Sequence, residues 1–378
     1  MIDFGFETKC YSCTACMSEC PKNAIILNEK LQPEILIDKC IKCNACEKVC
    51  IALNTLLPEI TCIEKWNGYV ARNRNADIRR KSSSGGIFFQ IAKNVIDNGG
   101  YVCGCVFDEE FMPEHILTNK IEDVKKMMGS KYVKSDLKDC INRMKNVLAD
   151  GIQVLFSGVP CQIAAVKRII KNENLITVAV VCHGSIERDV WKKYLKEESE
   201  KGTIIDVSMR DKSHGWLNYG MRFTFSNGLE DITYRKEKGY FLKCFTDGLL
   251  ERERCLECEY KGKYIISDLL LGDAWGMDKV YPELIDENGA SVVITCTSKG
   301  YSLFDNIKEK IDLREIAVEK IIENNQRIIT SAPENPFRKK FVKDLKMEDC
   351  NLHSICQKYA ENTLQNRLKK KMYRLLKL

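Results

Sequence analysis

Residues 10–21 read CYSCTACMSECP, four cysteines at spacings of three, three and four that close on a proline. Cys40, Cys43, Cys46 and Cys50 repeat the spacing, with Ile51 where the proline would stand. Such short spacings let one tight loop present three soft thiolates to a metal centre. The chain holds 20 cysteines, and its opening MIDFGFETKC has an acidic start and no apolar stretch, so no secretory signal is expected. In a reducing cytosol that cysteine density points to metal and away from a disulfide framework. A cytoplasmic metalloprotein is the expectation.

C-x2-C-x2-C-x3-C-P is the run of bacterial ferredoxins, in which three close cysteines and a fourth from the other run hold each iron–sulfur cube. On that pattern Cys10, Cys13, Cys16 and Cys50 hold one 4Fe-4S cluster, and Cys40, Cys43, Cys46 and Cys20 hold the second. Zinc ribbons also use C-x2-C pairs, but the doubled run with its crossover is the ferredoxin form. The segment resembles a two-cluster ferredoxin module. Such a module moves single electrons, so the rest of the chain should supply or receive them.

At 378 residues the chain suits one small and one larger domain. A ferredoxin domain is expected over 1–60, a polar linker over 61–80, a larger domain over 81–345 and a basic helical tail over 346–378. Mean hydropathy is −0.28, and no apolar run approaches the roughly 20 residues that cross a bilayer. Net charge is +6, but residues 365–378 carry Arg367, Lys369, Lys370, Lys371, Arg374 and Lys377 with no acid. The body is therefore neutral and offers no field to attract nucleic acid. Leu364, Leu368, Met372, Leu375 and Leu376 make an apolar stripe in that tail. A solvated terminal helix or a weak contact with an anionic membrane surface would use it.

Strand–loop–helix units dominate the larger part, which predicts an α/β (α+β) fold. Ser82–Gly86 precede an apolar run at helical spacing and can cap a helix or leave N–H groups for a phosphate. MGSKYVKS places Lys131 and Tyr132 beside a Gly-Ser turn. In QVLFSGVPCQIAAV a strand turns at Gly158 into a helix with Pro160 at its first position, which puts Cys161 in the first turn. LITVAVVCHG ends a strand on Cys182 and His183, and Cys255 and Cys258 form a C-x2-C pair ahead of SDLLLGDAWG. Cys161 with His183 reads as a thiol nucleophile and base. Alternatively Cys161, Cys182, Cys255 and Cys258 are the thiolates of a third cube, which uses all four. Cys62, Cys103, Cys105, Cys140, Cys244, Cys296, Cys350 and Cys356 share no spacing and read as structural thiols.

The ordered set SGG, GSKY, GVPCQ, CHG, C-x2-C and SDLLLGDAWG, over roughly residues 80–300, resembles the coenzyme F420 hydrogenase/dehydrogenase beta-subunit family. MRDKSHGWLNYGMRF is similar to a bacterial branch of that family found with polysaccharide-assembly enzymes. The resemblance implies FAD and one 4Fe-4S cluster in the larger domain, three clusters in all. It also implies Cys161, Cys182, Cys255 and Cys258 as ligands of the third. Ser84, Gly85, Gly86, Lys131, Tyr132, Gln162, Gly272 and Asp273 match its flavin-side positions. Arg210 and Lys212 offer fixed charge for an anionic substrate, His183 a proton donor and Trp216 a stacking face. The function implied is an iron–sulfur flavoenzyme passing electrons from the ferredoxin clusters through the third cluster to FAD. The final acceptor would be coenzyme F420 or another small molecule. The rival is a non-catalytic electron-transfer subunit wired to a redox partner protein, such as a ferredoxin or a dehydrogenase subunit.

Overall fold

The computed structural model describes residues 9–54, 66–262, 266–332, 335–347 and 350–361. The ferredoxin module is small. A hairpin of β1 (Ile25–Leu27) and β2 (Pro33–Ile35) separates two short helices, Ala15–Ser18 and Ala45–Val49. The cysteine loops that lead into these helices are built alike. Ser12 and Thr14 in the first, and Lys42 and Asn44 in the second, take positive φ between 48° and 59°. Non-glycine residues pay about 1 kcal/mol or more for that conformation, and its use twice at equivalent positions turns backbone N–H groups inward around the sulfurs. Ser12 N–H lies 3.3 Å from Cys10 Sγ, and Ala24 N–H 3.2 Å from Cys20 Sγ.

The larger domain rests on an eight-stranded sheet. Its strands are β3 (Asn67–Asn73), β4 (Tyr101–Phe107), β5 (Pro113–Thr118), β6 (Val154–Gly158), β7 (Leu175–Val180), then β11 (Leu269–Asp273), β12 (Ser291–Thr295) and β13 (Ile311–Ile316), ordered 13-3-12-11-7-6-4-5. The four central strands β4, β6, β7 and β11 run parallel and the outer four join antiparallel. Alternation along β6 sorts its side chains to the two faces. Val154 and Phe156 pack with Ile141, Met144, Ile163 and Val166 of helices Cys140–Ala149 and Pro160–Ile169. Leu155 packs on the other face with Ile91, Val95 and Phe304 of helices Ile87–Asp97 and Ser298–Asp305. Each fully buried side chain of this size contributes about 1.5–3 kcal/mol.

A second sheet, β8 (Ile204–Asp211), β9 (Gly220–Phe225) and β10 (Glu230–Tyr234), is an antiparallel meander. Trp191, Tyr194, Phe223 and Phe241 stack behind it. Mixed α/β architecture with an N-terminal ferredoxin-like domain is thus as expected. Two stretches are more closely packed into the body than a polar linker and a basic helical tail would be. The 61–80 linker contains β3, which pairs with both β12 and β13 because Tyr69, Val70 and Ala71 are apolar on both faces. The stretch from 346 contains helix Leu352–Ala360, whose Leu352, Ile355, Cys356 and Tyr359 are buried in the second core. The apolar stripe from Leu364 onward and Cys62 lie outside the described residues. Of the other unassigned thiols, Cys103, Cys140, Cys244, Cys296 and Cys356 are buried. Among the described residues no helix is long and apolar enough to cross a membrane.

Candidate functional site

The crossover pattern of the first eight cysteines is visible as two cavities. One is lined by Cys10, Cys13, Cys16 and Cys50, the other by Cys20, Cys40, Cys43 and Cys46. Burial raises the Cys16 thiol, and Cys13, Cys10, Cys50 and Cys46 raise it further, in that order. The first group lies inward and the second outward: Cys13 and Cys16 are buried while Cys43 is exposed.

The inward group faces the larger domain. Tyr11, Cys13, Ala15 and Ile51 form one apolar cluster with Ala164, Ala165 and Tyr260, against which Cys161 and Cys258 pack. The Tyr11 and Tyr260 rings meet edge-on at 5.0 Å, and Tyr260 Oη donates to Ile51 O at 2.6 Å. Arg252 donates to Ser12 Oγ at 2.7 Å, and Arg254 stands 4.4 Å over the Tyr11 ring.

Cys161 sits in the first turn after β6 and Cys182 just past β7, with Cys255 in the short helix Glu253–Leu256 and Cys258 behind it. The structure brings these four together. Burial pushes the Cys182 thiol up to about 12 against the pull of Lys261, and Cys255, Cys161 and Cys258 add to the rise. Burial likewise lifts Cys258 to about 12, with Cys161 its strongest neighbour. Ser185 Oγ lies 3.7 Å from Cys255 Sγ, and Cys258 N–H donates to Ser331 Oγ at 3.0 Å. Among the described residues no group of three or more His, Cys, Asp or Glu converges tightly enough for a single metal ion. His183 Nε2 turns to the fully enclosed Glu251, 2.9 Å from its Oε1. The pair does not have hydrogen-bond geometry.

A cavity of about 580 Å³ opens where the four parallel strands end, the place where open α/β sheets build sites. Cys105, Ser157 and Gly158, Val180 to Ser185, and Leu271 to Asp273 bring it to the ends of β4, β6, β7 and β11. Ser84, Gly86, Lys131, Tyr132, Gln162, His183, Arg210, Gly272 and Asp273 line it as well. Gly86, at φ +73°, forms the N-cap of helix Ile87–Asp97 and so opens that helix's amides to the cavity.

Gly85, Gln162, Lys212 and Trp216 do other work. A Cβ on Gly85 would stand 2.6 Å from both Ala71 O and Ser291 N, so this glycine lets the loop lie on the sheet and does not face the cavity. Gln162 is 1% exposed; its Oε1 accepts from Val159 N–H at 3.2 Å and its Nε2 donates to Ser135 Oγ at 2.9 Å, which caps the helix. Lys212 donates to the carbonyls of Arg79 and Asn288 at 2.6 Å and of Ser84 at 3.4 Å, holding the serine loop from below instead of meeting a ligand. Burial, with help from Arg210, pushes that ammonium down to about 7. Arg210 and Asp273 form a two-bond ion pair at 2.9 and 3.0 Å, so their charges serve each other first. Trp216 is core, stacked on Trp275 at 4.6 Å with its Nε1 on Asp273. Glu251, Lys134, Tyr219, Phe245 and Trp275 were not singled out, although Lys134, Tyr219 and Trp275 lie inside MGSKYVKS, MRDKSHGWLNYGMRF and SDLLLGDAWG.

Residues 68–142 match the N-terminal model, and residues 152–320 the C-terminal model, of the coenzyme F420 hydrogenase/dehydrogenase beta subunit, together more than half of the chain. The chain belongs to this beta-subunit family. Residues 9–75 match a 4Fe-4S dicluster domain, so this member of the beta-subunit family carries an iron–sulfur domain ahead of both halves. It is similar to an uncharacterized protein of Methanocaldococcus jannaschii, at 23% identity over 364 residues, 83% of this chain and 92% of that one. It is also similar to a chain of the F420-reducing NiFe hydrogenase complex from Methanosarcina barkeri. There the TM-score is 0.47 and the identity 16%, over 71% of this chain and 96% of that one.

Proposed function

We propose that the chain is a cytoplasmic iron–sulfur flavoenzyme that carries electrons from a ferredoxin-type inlet through a third cluster to FAD and on to a small organic substrate. The observation that carries this reading is continuity. Cys13 packs in one cluster with Cys161 and Cys258, and Cys182 of the same set lines the large cavity. The thiolate sets suit 4Fe-4S clusters, since each groups four soft sulfurs, and in the ferredoxin module backbone N–H groups lie close to Cys10 and Cys20. When bound, the clusters would supply single electrons and the flavin would convert them to pairs.

The cavity's charge suits a dinucleotide. Lys131, Lys134, Arg210 and Arg327 line it against the carboxylate of Asp273, and the amides at Gly86–Phe88 open into it. Tyr132, Tyr219, Phe245 and Trp275 give it aromatic walls. The electron entrance in this reading is the outward cysteine set, where Ile37 and Ile41 are 73% and 56% exposed beside Cys43. That face suits a one-electron carrier protein. We place the domain division between residues 54 and 66, counting β3 with the flavin domain. The second reading, a non-catalytic subunit that hands electrons to a partner enzyme, draws on the same exposed face and on the hydrogenase/dehydrogenase subunits that define the family.

A native mass spectrum of the anaerobically purified full chain tests the reading. Three cubane clusters and one FAD are expected; two clusters without flavin would overturn it. Turnover of a small molecule with only a chemical reductant then separates an enzyme from a wiring subunit.

Lys131 gives the site a pH dependence. Its ammonium turns inward on the carbonyls of Lys126, Met128 and Gly129, and burial pushes it down to about 8 from 10.5. It therefore supplies charge and not a hydrogen bond to an anion, and loses that charge as pH rises through about 8. FAD affinity, read by flavin fluorescence, is expected to weaken about fivefold from pH 7 to about 9.5. Lys131→Met should flatten the profile. The unfolded chain keeps this proton up to 10.5, so between about 8 and 10.5 the same group makes the apo fold more stable as pH rises.

A further inference from the structure

Lys134 lines the cavity and also reaches the third cysteine set. Its backbone is pinned beside the segment that follows Cys182: its N–H donates to Ile186 O at 3.0 Å, and its carbonyl accepts from Arg188 at 3.4 Å. The side chain is 2% exposed. Its Nζ lies 3.8 Å from Cys161 Sγ, and among the described residues it makes no ion pair with a carboxylate. Cys13 of the ferredoxin module feels its charge as well. Neighbouring His115 adds no second cation, because burial first, then Lys134 and Lys131, hold its imidazole down to about 4.

An uncompensated ammonium in a protein interior is costly and persists only where something anionic faces it. The anionic candidates within its reach are the third cysteine set, whose Cys161 sulfur lies 3.8 Å away, and an anionic ligand of the cavity it lines. Resting on the cluster assignment above, we infer that Lys134 is the fixed counter-charge of the third cysteine set, raising the reduction potential of the cluster held there. A cluster gains one negative charge when it takes an electron, and cluster potentials follow local charge and the groups around the sulfurs. A cation beside Cys161 stabilises the reduced form there and favours transfer from the Cys13 side toward the cavity. Lys134 is a positioning residue for the electron and touches no reacting substrate atom.

The test is a dithionite titration of the anaerobic full chain followed by EPR, with iron and flavin counted on the same samples. Lys134→Met should retain all iron, and its flavin content, which the loss of one cavity cation can lower, is counted so that the cluster potential is compared at known loading. The EPR signal that is absent from Cys255→Ala should become about tenfold harder to reduce, which for one electron is about 59 mV more negative. Lys134→Arg, which keeps the charge, should stay near the parent. If the methionine variant sheds iron, Lys134→Gln carries the same comparison. An unchanged midpoint in a fully loaded neutral variant would overturn the inference. So would a shift confined to the flavin, which would assign the ammonium to the cavity ligand, or an equal shift in Lys134→Arg. Fewer than three clusters in the parent protein would instead refute the cluster assignment on which the inference rests, so the two failures are distinct.

Discussion

Replacing Cys255 by alanine is expected to remove about a third of the iron and acid-labile sulfide from the chain, leaving both ferredoxin clusters in place. In the proposed reading a cube held by four thiolates would lose one of its ligands, and Cys255 is tied at close range to Ser185 and Gly184. Flavin reduction by a one-electron donor should fall by orders of magnitude, while direct chemical reduction of the flavin persists. Cys296→Ala is the matched control. That thiol is 4% exposed in the main core, and its removal should keep every iron atom and cost about 1–2 kcal/mol of stability. Full iron retention in Cys255→Ala would refute the third site.

Arg210→Met should destabilise the larger domain by about 3–5 kcal/mol in urea unfolding followed by circular dichroism. The guanidinium is 6% and the Asp273 carboxylate 17% exposed. The cation also stacks on Tyr219 at 4.3 Å and lies 5.4 Å from Trp275. Deleting one partner leaves a largely buried carboxylate at the cavity floor, with the Trp216 indole as its remaining neutral donor. The double variant Arg210→Met/Asp273→Asn should regain most of the loss, because no orphan charge is left. A single-variant cost below about 1 kcal/mol would mean that water screens the pair.

What could be read from the chain alone divides by distance along it. The ferredoxin module was legible because three of the four cysteines in each set are local, spacings of three residues being themselves the loop, and the doubled run supplies the crossover of Cys20 and Cys50. The third set was only half legible. Its four cysteines come from two strand ends and a later C-x2-C pair, and no spacing rule links positions 161, 182, 255 and 258; order and resemblance carried that reading. Residue types around the cavity were found more easily than directions. Lys212 and Gly85 sit one layer behind the wall they were expected to form, and Gln162 lines it with its amide already spent on Val159 and Ser135, because each satisfies backbone groups or allows a close backbone approach that no pattern of residue types reveals. Strand β3 was missed because NGYVARNRNADIRRK reads as polar, although its middle is apolar on both faces. Glu251 gave no signal, since the alternating charges of residues 251–254, ERER, look like surface until burial is known.

The Tyr11–Tyr260 contact and the Arg252 and Arg254 clasps fasten the ferredoxin module to the larger domain instead of leaving it on a tether. In the proposed reading, the inner electron hop is therefore a first-order event. Its rate should be indifferent to viscosity and protein concentration, whereas the outer hop, from a docking carrier, should follow second-order kinetics and slow with added salt.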